Sequence, residues 1–347
     1  MDRLQSLLTA SLRHLVRQLD GFLALGSKIL GHHRVSTPRL RVLIFIAQSP
    51  KPCKYSHNYV VIRLRLGYHI GHMNQSKRHR LTKATFAILL ALIIWGIVSL
   101  AFNPITVTTY WGVGLGVVAM IIFMLSLGME NIGLPKTLIM VFSIFIIVLG
   151  AQLLNLYRGW PFGLVSYHDV LGWKILRGIA WPIPLFWTFM VSSALMLTWP
   201  KQPKNDPKVL FSWAFDAAMV TVLADLIVEP ILTATSAQAW STNGIFLGIP
   251  LSNFVGWFLT AFVAGFAAIL LAKLWQTKIL KPPALLLIML GLSLLGLITS
   301  SRLSLTVVQI LCALAAIFFA IWSFRLRKEK KNNPPAKIED GNTTVQA

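Results

Sequence analysis

Cysteine is nearly missing from this chain. Cys53 and Cys312 stand far apart, and Cys312 falls inside an apolar run, so they support neither a disulfide framework nor a cysteine-based metal site. His32-His33 has no further ligand at metal-binding spacing and reads as surface histidine, so no metal is expected. There is no Walker loop, no paired-aspartate motif of the prenyl-transferring type and no Gly-x-Ser-x-Gly. Gly112, Gly114 and Gly116 alternate, but inside an apolar stretch and not after a strand. They read as a close-packing helix surface rather than a dinucleotide loop. Charge is scarce as well: charged residues make up 12% of 347, against 56% hydrophobic. With a mean hydropathy of +0.68, that balance excludes an ordinary soluble domain and indicates an integral membrane protein.

What is present is a series of long apolar runs. Eight stretches, at 84–102, 111–129, 137–156, 179–199, 209–229, 250–272, 283–300 and 303–324, are long enough or nearly so to cross about 30 Å of hydrocarbon. The last two are separated only by Ser301 and Arg302, which predicts a tight hairpin. No alternating strand pattern is visible, so an all-α, polytopic transmembrane helical bundle is expected, because lipid offers the backbone no other partners. Lys77, Arg78, Arg80, Lys83, Lys136, Lys201, Lys204, Lys208, Lys273, Lys278, Lys281 and the run Arg325 to Lys331 fall on one side if there are eight crossings. Only Arg158, Lys174, Arg177 and Arg302 fall on the other. The positive-inside rule then makes both termini cytoplasmic in a multi-pass protein of the cell membrane. The net charge of +21 reflects that topology and attraction to the lipid bilayer, and no nucleic acid partner is expected.

The first 72 residues differ from the rest. They hold six of the eight histidines and eleven basic residues but only two acids. Leu4, Leu8, Leu12, Leu15, Leu19 and Leu23 predict an amphipathic surface helix over 3–30. Val42 to Ala47 is too short to span. Met73 opens a natural basic flank for the first span, so the functional protein is expected to begin at or near it, with the upstream segment dispensable or not translated. Residues 73–324 then form the transmembrane domain. Residues 325–347 form a polar cytoplasmic tail, with Pro334-Pro335 in a stretch expected to be disordered.

Two acids interrupt the fifth run. Asp225 and Glu229 lie four residues apart, on one helix face, with Thr221 a turn earlier. Ionisable side chains inside hydrocarbon are functional by default, and two close acids there tend to titrate apart, giving a proton donor beside an acceptor. The alternative is a buried polar pair that ties this helix to a neighbour, and the pair alone does not decide between them. Other polar and aromatic residues converge on the same outer side. The loop before the fourth run carries Arg158-Gly-Trp-Pro-Phe-Gly, Tyr167-His168-Asp169 and Leu171-Gly172-Trp173, which suits a structured cap. The fourth run opens Trp181-Pro182-Ile183-Pro184-Leu185-Phe186-Trp187, where two prolines disrupt regular pairing in the first turns. Trp240 follows the fifth run, and Asn253, Trp257 and Thr260 share a face of the sixth, with Pro250 in its first turn. A single interfacial tryptophan is usually an anchor; the convergence with two acids and an asparagine asks for more.

The order and spacing of these residues resemble those of membrane-bound carotenoid biosynthesis proteins, the family that includes carotenoid 1,2-hydratases. Gly159, Pro161, Phe162, Gly163, Tyr167, Leu171 and Gly172 fit its first motif, and Gly178, Ile183, Pro184, Leu185 and Trp187 the next. Asp225, Glu229 and Pro230 fit an acidic signature, with Glu in place of Asp. Trp240, Gly248, Pro250, Asn253, Phe254, Gly256 and Trp257 fit the last. The detailed likeness covers roughly 150–260. Val165 and Phe246 stand where the family has tyrosines, His168 where it has threonine and Ala180 where it has proline.

The resemblance implies hydration of the terminal C1–C2 double bond of an acyclic carotenoid, or of a similar long isoprenoid, with no cofactor. A buried carboxylic acid would deliver the proton and aromatic faces would stabilise the tertiary cation. It makes Asp225 and Glu229 jointly acid and base and gives Asn253 the placing of the water. Phe162, Tyr167, Trp181, Trp187, Thr221, Trp240 and Trp257 would bind substrate. Two rivals remain: a proton-coupled membrane transporter, although no internal repeat is visible, and a non-catalytic carotenoid-binding membrane protein.

Overall fold

In the computed structural model, residues 74–102, 107–176, 178–277 and 282–332 are described. Eight helices run through them: α1 Gln75–Phe102, α2 Val107–Asn131, α3 Leu134–Arg158, α4 Pro182–Leu197, α5 Pro207–Ala234, α6 Leu251–Leu271, α7 Pro283–Arg302 and α8 Thr306–Asn332. Seven are long and apolar enough to cross a membrane; α4, with 16 residues, is not. The expected helical segment at 179–199 is thus present but short. Pro182 and Pro184 occupy its first turn, where the missing N–H groups carry no penalty, and it stops ahead of Trp199-Pro200. Nearly every α4 side chain is buried, because α2, α3, α5 and α6 all pack on it. A helix enclosed by protein need not match the bilayer thickness.

Consecutive helices run in opposite directions. His79 of α1 contacts Glu130 of α2 at 2.7 Å, and Lys136 Nζ donates to Thr277 Oγ1 just after α6 at 2.7 Å. At the other end, Arg302 Nη1 donates to Ala101 O. The starts of α1 and α3 therefore share an end of the bundle with the close of α6, and Lys77, Lys136 and Lys273 share it with them. The α7–α8 hairpin turns over Leu303–Leu305, with Arg302 the last helical residue. Gly112 and Gly114 do act as close-packing positions: a Cβ would lie 2.7 Å from the Trp95 ring and 3.0 Å from that of Trp181. Gly116 departs from the expectation and faces open space.

The sequence offered no strand pattern, yet the loops hold two short antiparallel pairs. β1 Val165–Tyr167 pairs with β4 Gln238–Trp240, and β2 Lys174–Ile175 with β3 Ile179–Ala180. Strands of two or three residues are too short to show a period of two. The β1–β4 ladder joins the α3–α4 loop to the α5–α6 loop over the end of the bundle where α5 closes and α6 begins. Segment 1–72, with its expected amphipathic helix, and the end of the tail lie outside the described residues.

Candidate functional site

α5 carries the carboxylates. Asp225 has no solvent-exposed surface and Glu229 retains 4%, and Thr221, one turn before, is also fully buried. The helix continues through Pro230 to Ala234. Proline has no N–H for the carbonyl four residues back, so the Leu226 backbone oxygen is freed beside the two acids.

Each acid has its own amide partner from a different element. Asn253, in the first turn of α6, donates from Nδ2 to Asp225 Oδ2 at 2.9 Å. Gln238, the first residue of β4, donates from Nε2 to Glu229 Oε2 and lies 3.3 Å from Thr233 Oγ1. Asp225 Oδ1 is buried without a hydrogen-bond partner among the described residues. Thr221 Oγ1 donates to its own helix at Ala217 O and keeps acceptor capacity only. Tyr167 sits opposite Gln238 in the β1–β4 ladder, so their side chains share a face. Burial, reinforced by Glu229 and then Asp225, pushes the Tyr167 phenol above its ordinary value. It therefore remains a neutral O–H donor near the two acids.

An aromatic column stands beside Asn253. The Trp257 ring, one turn along α6, stacks on Trp187 at 4.1 Å and on Phe162 at 4.6 Å. Phe162 is fixed by Asn155 of α3, which accepts from the Phe162 N–H at 3.0 Å and donates to Gly163 O at 2.8 Å. Gly256 makes this possible, since a Cβ there would lie 2.6 Å from Phe162 Cδ1 and 2.8 Å from Pro161 O. Among the described residues, the Trp187 and Trp240 indole N–H groups are buried without hydrogen-bond partners, as is the whole Gln152 amide, one turn before Asn155 on α3.

Of the residues singled out in the sequence, Asp225, Glu229, Asn253, Thr221 and Tyr167 are gathered around one point. Phe162, Trp187 and Trp257 form the column beside it. Trp240, on the α5–α6 loop, reaches toward Gly163 of the α3–α4 loop. Trp181 belongs elsewhere: its ring lies over Gly114 and Gly172 and beside Trp173 at 6.4 Å. Gln238, Asn155 and Gln152 were missed. Glutamine and asparagine in a loop or a helix carry no periodic signal, and only the β1–β4 pairing brings Gln238 to Glu229. Among the described residues, no group of three or more His, Cys, Asp or Glu side chains is placed to hold a metal ion.

The family described as carotenoid biosynthesis protein matches residues 112–322, a range that contains every site residue above. The bisanhydrobacterioruberin hydratase of Haloarcula japonica is 27% identical over 119 residues, covering 33% of this chain and 39% of that protein. No solved structure matches the chain.

Proposed function

Because the chain belongs to the carotenoid biosynthesis protein family, we propose that it adds water to the terminal C1–C2 double bond of an acyclic carotenoid by acid catalysis. One carboxylic acid of the Asp225–Glu229 couple gives its proton to C2, leaving a tertiary cation at C1. Water adds to C1 and passes a proton to the other carboxylate. Proton exchange between the two acids restores the starting state, so the net reaction consumes only alkene and water. The single observation that carries this reading is the differential pairing of the two acids. Asn253 holds one oxygen of Asp225 and leaves the other unengaged, while Gln238 holds Glu229.

The aromatic column supports the same chemistry. A desolvated ring face stabilises a cation by about 2 kcal/mol; Trp187 and Phe162 cover both faces of Trp257, so the face this reading uses is the outer one of Trp187. Asn253 orients Asp225 and with it the water, and Tyr167 offers a neutral hydroxyl. Phe162, Trp240 and Thr221 are the remaining residues this reading places against the substrate. The hydratase relative adds weight to hydration over other modifications of the end group. The basic residues favour eight crossings with both termini in the cytoplasm of a cell-membrane protein, α4 being carried across within its neighbours.

The test is product analysis after incubating the purified protein in lipid with an acyclic carotenoid in oxygen-labelled water. The reading expects a tertiary alcohol carrying the label. Carotenoid that binds and is recovered unchanged would identify a binding protein instead, and proton flux without product a transporter.

A further inference from the structure

One long cavity is not lined by Asp225 or Glu229. It has a volume of about 1040 Å³, at the upper end of the common size of small-ligand sites, and is bounded by α1, α2, α4, α5, α7 and α8. Its α5 wall is formed by Val220, Ala224, Ile227 and Ile231, about a third of a turn round the helix from Thr221, Asp225 and Glu229. That wall extends from Asp216 to Thr235, a rise of about 28 Å along the axis, so the space is long and narrow. The lining is overwhelmingly aliphatic and aromatic. Trp95, Leu223, Leu314 and Phe318 on its border are each more than half exposed, which opens it sideways to the bilayer.

The two ends differ. At one end lie Leu171, Pro182 and Phe186, and the Phe186 ring meets Trp187 edge-on at 5.3 Å, next to the acid site. At the other end stand Asp216 and Thr198, which also line a smaller pocket of about 300 Å³ with Lys208 and Ser212. Asp216 is exposed there and has no hydrogen-bond or ion-pair partner among the described residues. A carboxylate at membrane depth needs a water-filled or polar surrounding, and this smaller pocket supplies one. Thr198 Oγ1 spends its proton on Ala194 O at 2.7 Å and is free to accept.

We propose that this cavity seats the polyene of an extended acyclic carotenoid, and that Asp216 and Thr198 receive a hydroxyl on the end remote from the carboxylates. The inference rests on the substrate class proposed above and adds where its length lies and which far end is preferred. An apolar channel about 28 Å long fits a linear chain of many conjugated carbons better than a compact ligand. A hydroxyl at its far end donates to the Asp216 carboxylate and meets water through the smaller pocket. A chain that ends in hydrocarbon gains nothing there. A substrate hydroxylated at one end would thus be held with its unreacted end under Phe186 and Trp187.

The test uses the full chain in phospholipid nanodiscs, with an acyclic carotenoid hydrocarbon and its counterpart hydroxylated at one end. Bound pigment is titrated by absorbance and by quenching of tryptophan emission, since Trp95 and Trp322 line the cavity. Gly116 also lines it, and a Cβ there meets nothing within 4 Å. Gly116→Phe therefore starts from a Cβ that meets nothing, puts its ring into the channel, and is expected to weaken both ligands by about tenfold or more. Leu223→Trp, at the exposed border, blocks the same channel by a second route. Asp216→Leu is expected to weaken only the hydroxylated ligand, by about tenfold. Wild-type affinity in both channel variants, equal effects of Asp216→Leu on the two ligands, or full displacement of pigment by phospholipid alone would overturn the inference. If the pigment binds as expected but no labelled alcohol forms, the hydration reading fails and this one stands. If Gly116→Phe hydrates at the wild-type rate, only this one fails.

Discussion

Replacing Asn253 by leucine isolates the contact that orients Asp225. The side chains are close in size, and Asn253 and Asp225 are both buried, so the change removes a hydrogen bond and leaves little cavity. The Asp225 carboxyl then has neither oxygen paired, because Oδ1 already lacks a partner. Losing a hydrogen bond to a carboxylate is worth about 1.5–3 kcal/mol. If that stabilisation is expressed in the transition state, the rate falls about ten- to a hundredfold, at 1.36 kcal/mol per tenfold. The assay is labelled-alcohol formation from an acyclic carotenoid at saturating substrate, with the melting temperature in detergent measured alongside. The expected result is a loss in turnover greater than any loss in binding. Unchanged turnover in a folded variant would refute the idea that the 2.9 Å contact positions the reacting acid.

Other outcomes follow from the same geometry. Gly256→Val should push Phe162 off Trp257, because even a Cβ comes within 2.6 Å of its ring; we expect a loss of about 1–3 kcal/mol and altered tryptophan emission, and native emission would contradict the packing. Gln238→Leu should lower turnover by about ten- to a hundredfold through Glu229, with insertion unchanged; equal turnover would remove Gln238 from the site. Because the Tyr167 phenol is pushed up, the rate should show no fall near 10, where tyrosine ordinarily ionises, and a fall there that Tyr167→Phe abolishes would contradict this. Asp169, on the exposed loop, is held below its ordinary range by the Lys174 ammonium at 2.7 Å. Any stabilisation from that pair is present above the ordinary carboxylate value and fades as pH falls through the lowered one; Asp169→Asn should change melting little at neutral pH, and a large drop would show that the loop depends on it.

Much of the molecule could be read from the chain. Long apolar runs and their basic flanks gave the helices, since length and composition decide what lies in lipid. The i, i+4 spacing of Asp225 and Glu229, and the shared face of Asn253 and Trp257, follow from helix geometry alone, and the structure places them as expected. Properties that depend on contacts between elements were out of reach. Hydropathy registers the α4 segment as apolar, but not that its neighbours enclose it and let it be short. Gln238 reaches Glu229 only through a three-residue strand pairing. Trp181 looked like its fellow tryptophans, yet two glycines draw its ring to another surface. Asp216 was legible and overlooked: a third acid lies in the same apolar helix, nine residues before Asp225, and so half a turn away from it.

The central claim is that a buried acid couple converts an alkene dissolved in lipid into an alcohol. Labelled-alcohol formation by Asp225→Asn and Glu229→Gln, each compared with wild type at equal membrane insertion, tests it most directly. Both variants are expected to lose about a hundredfold or more while still inserting and binding pigment. Full product formation by both would contradict the account.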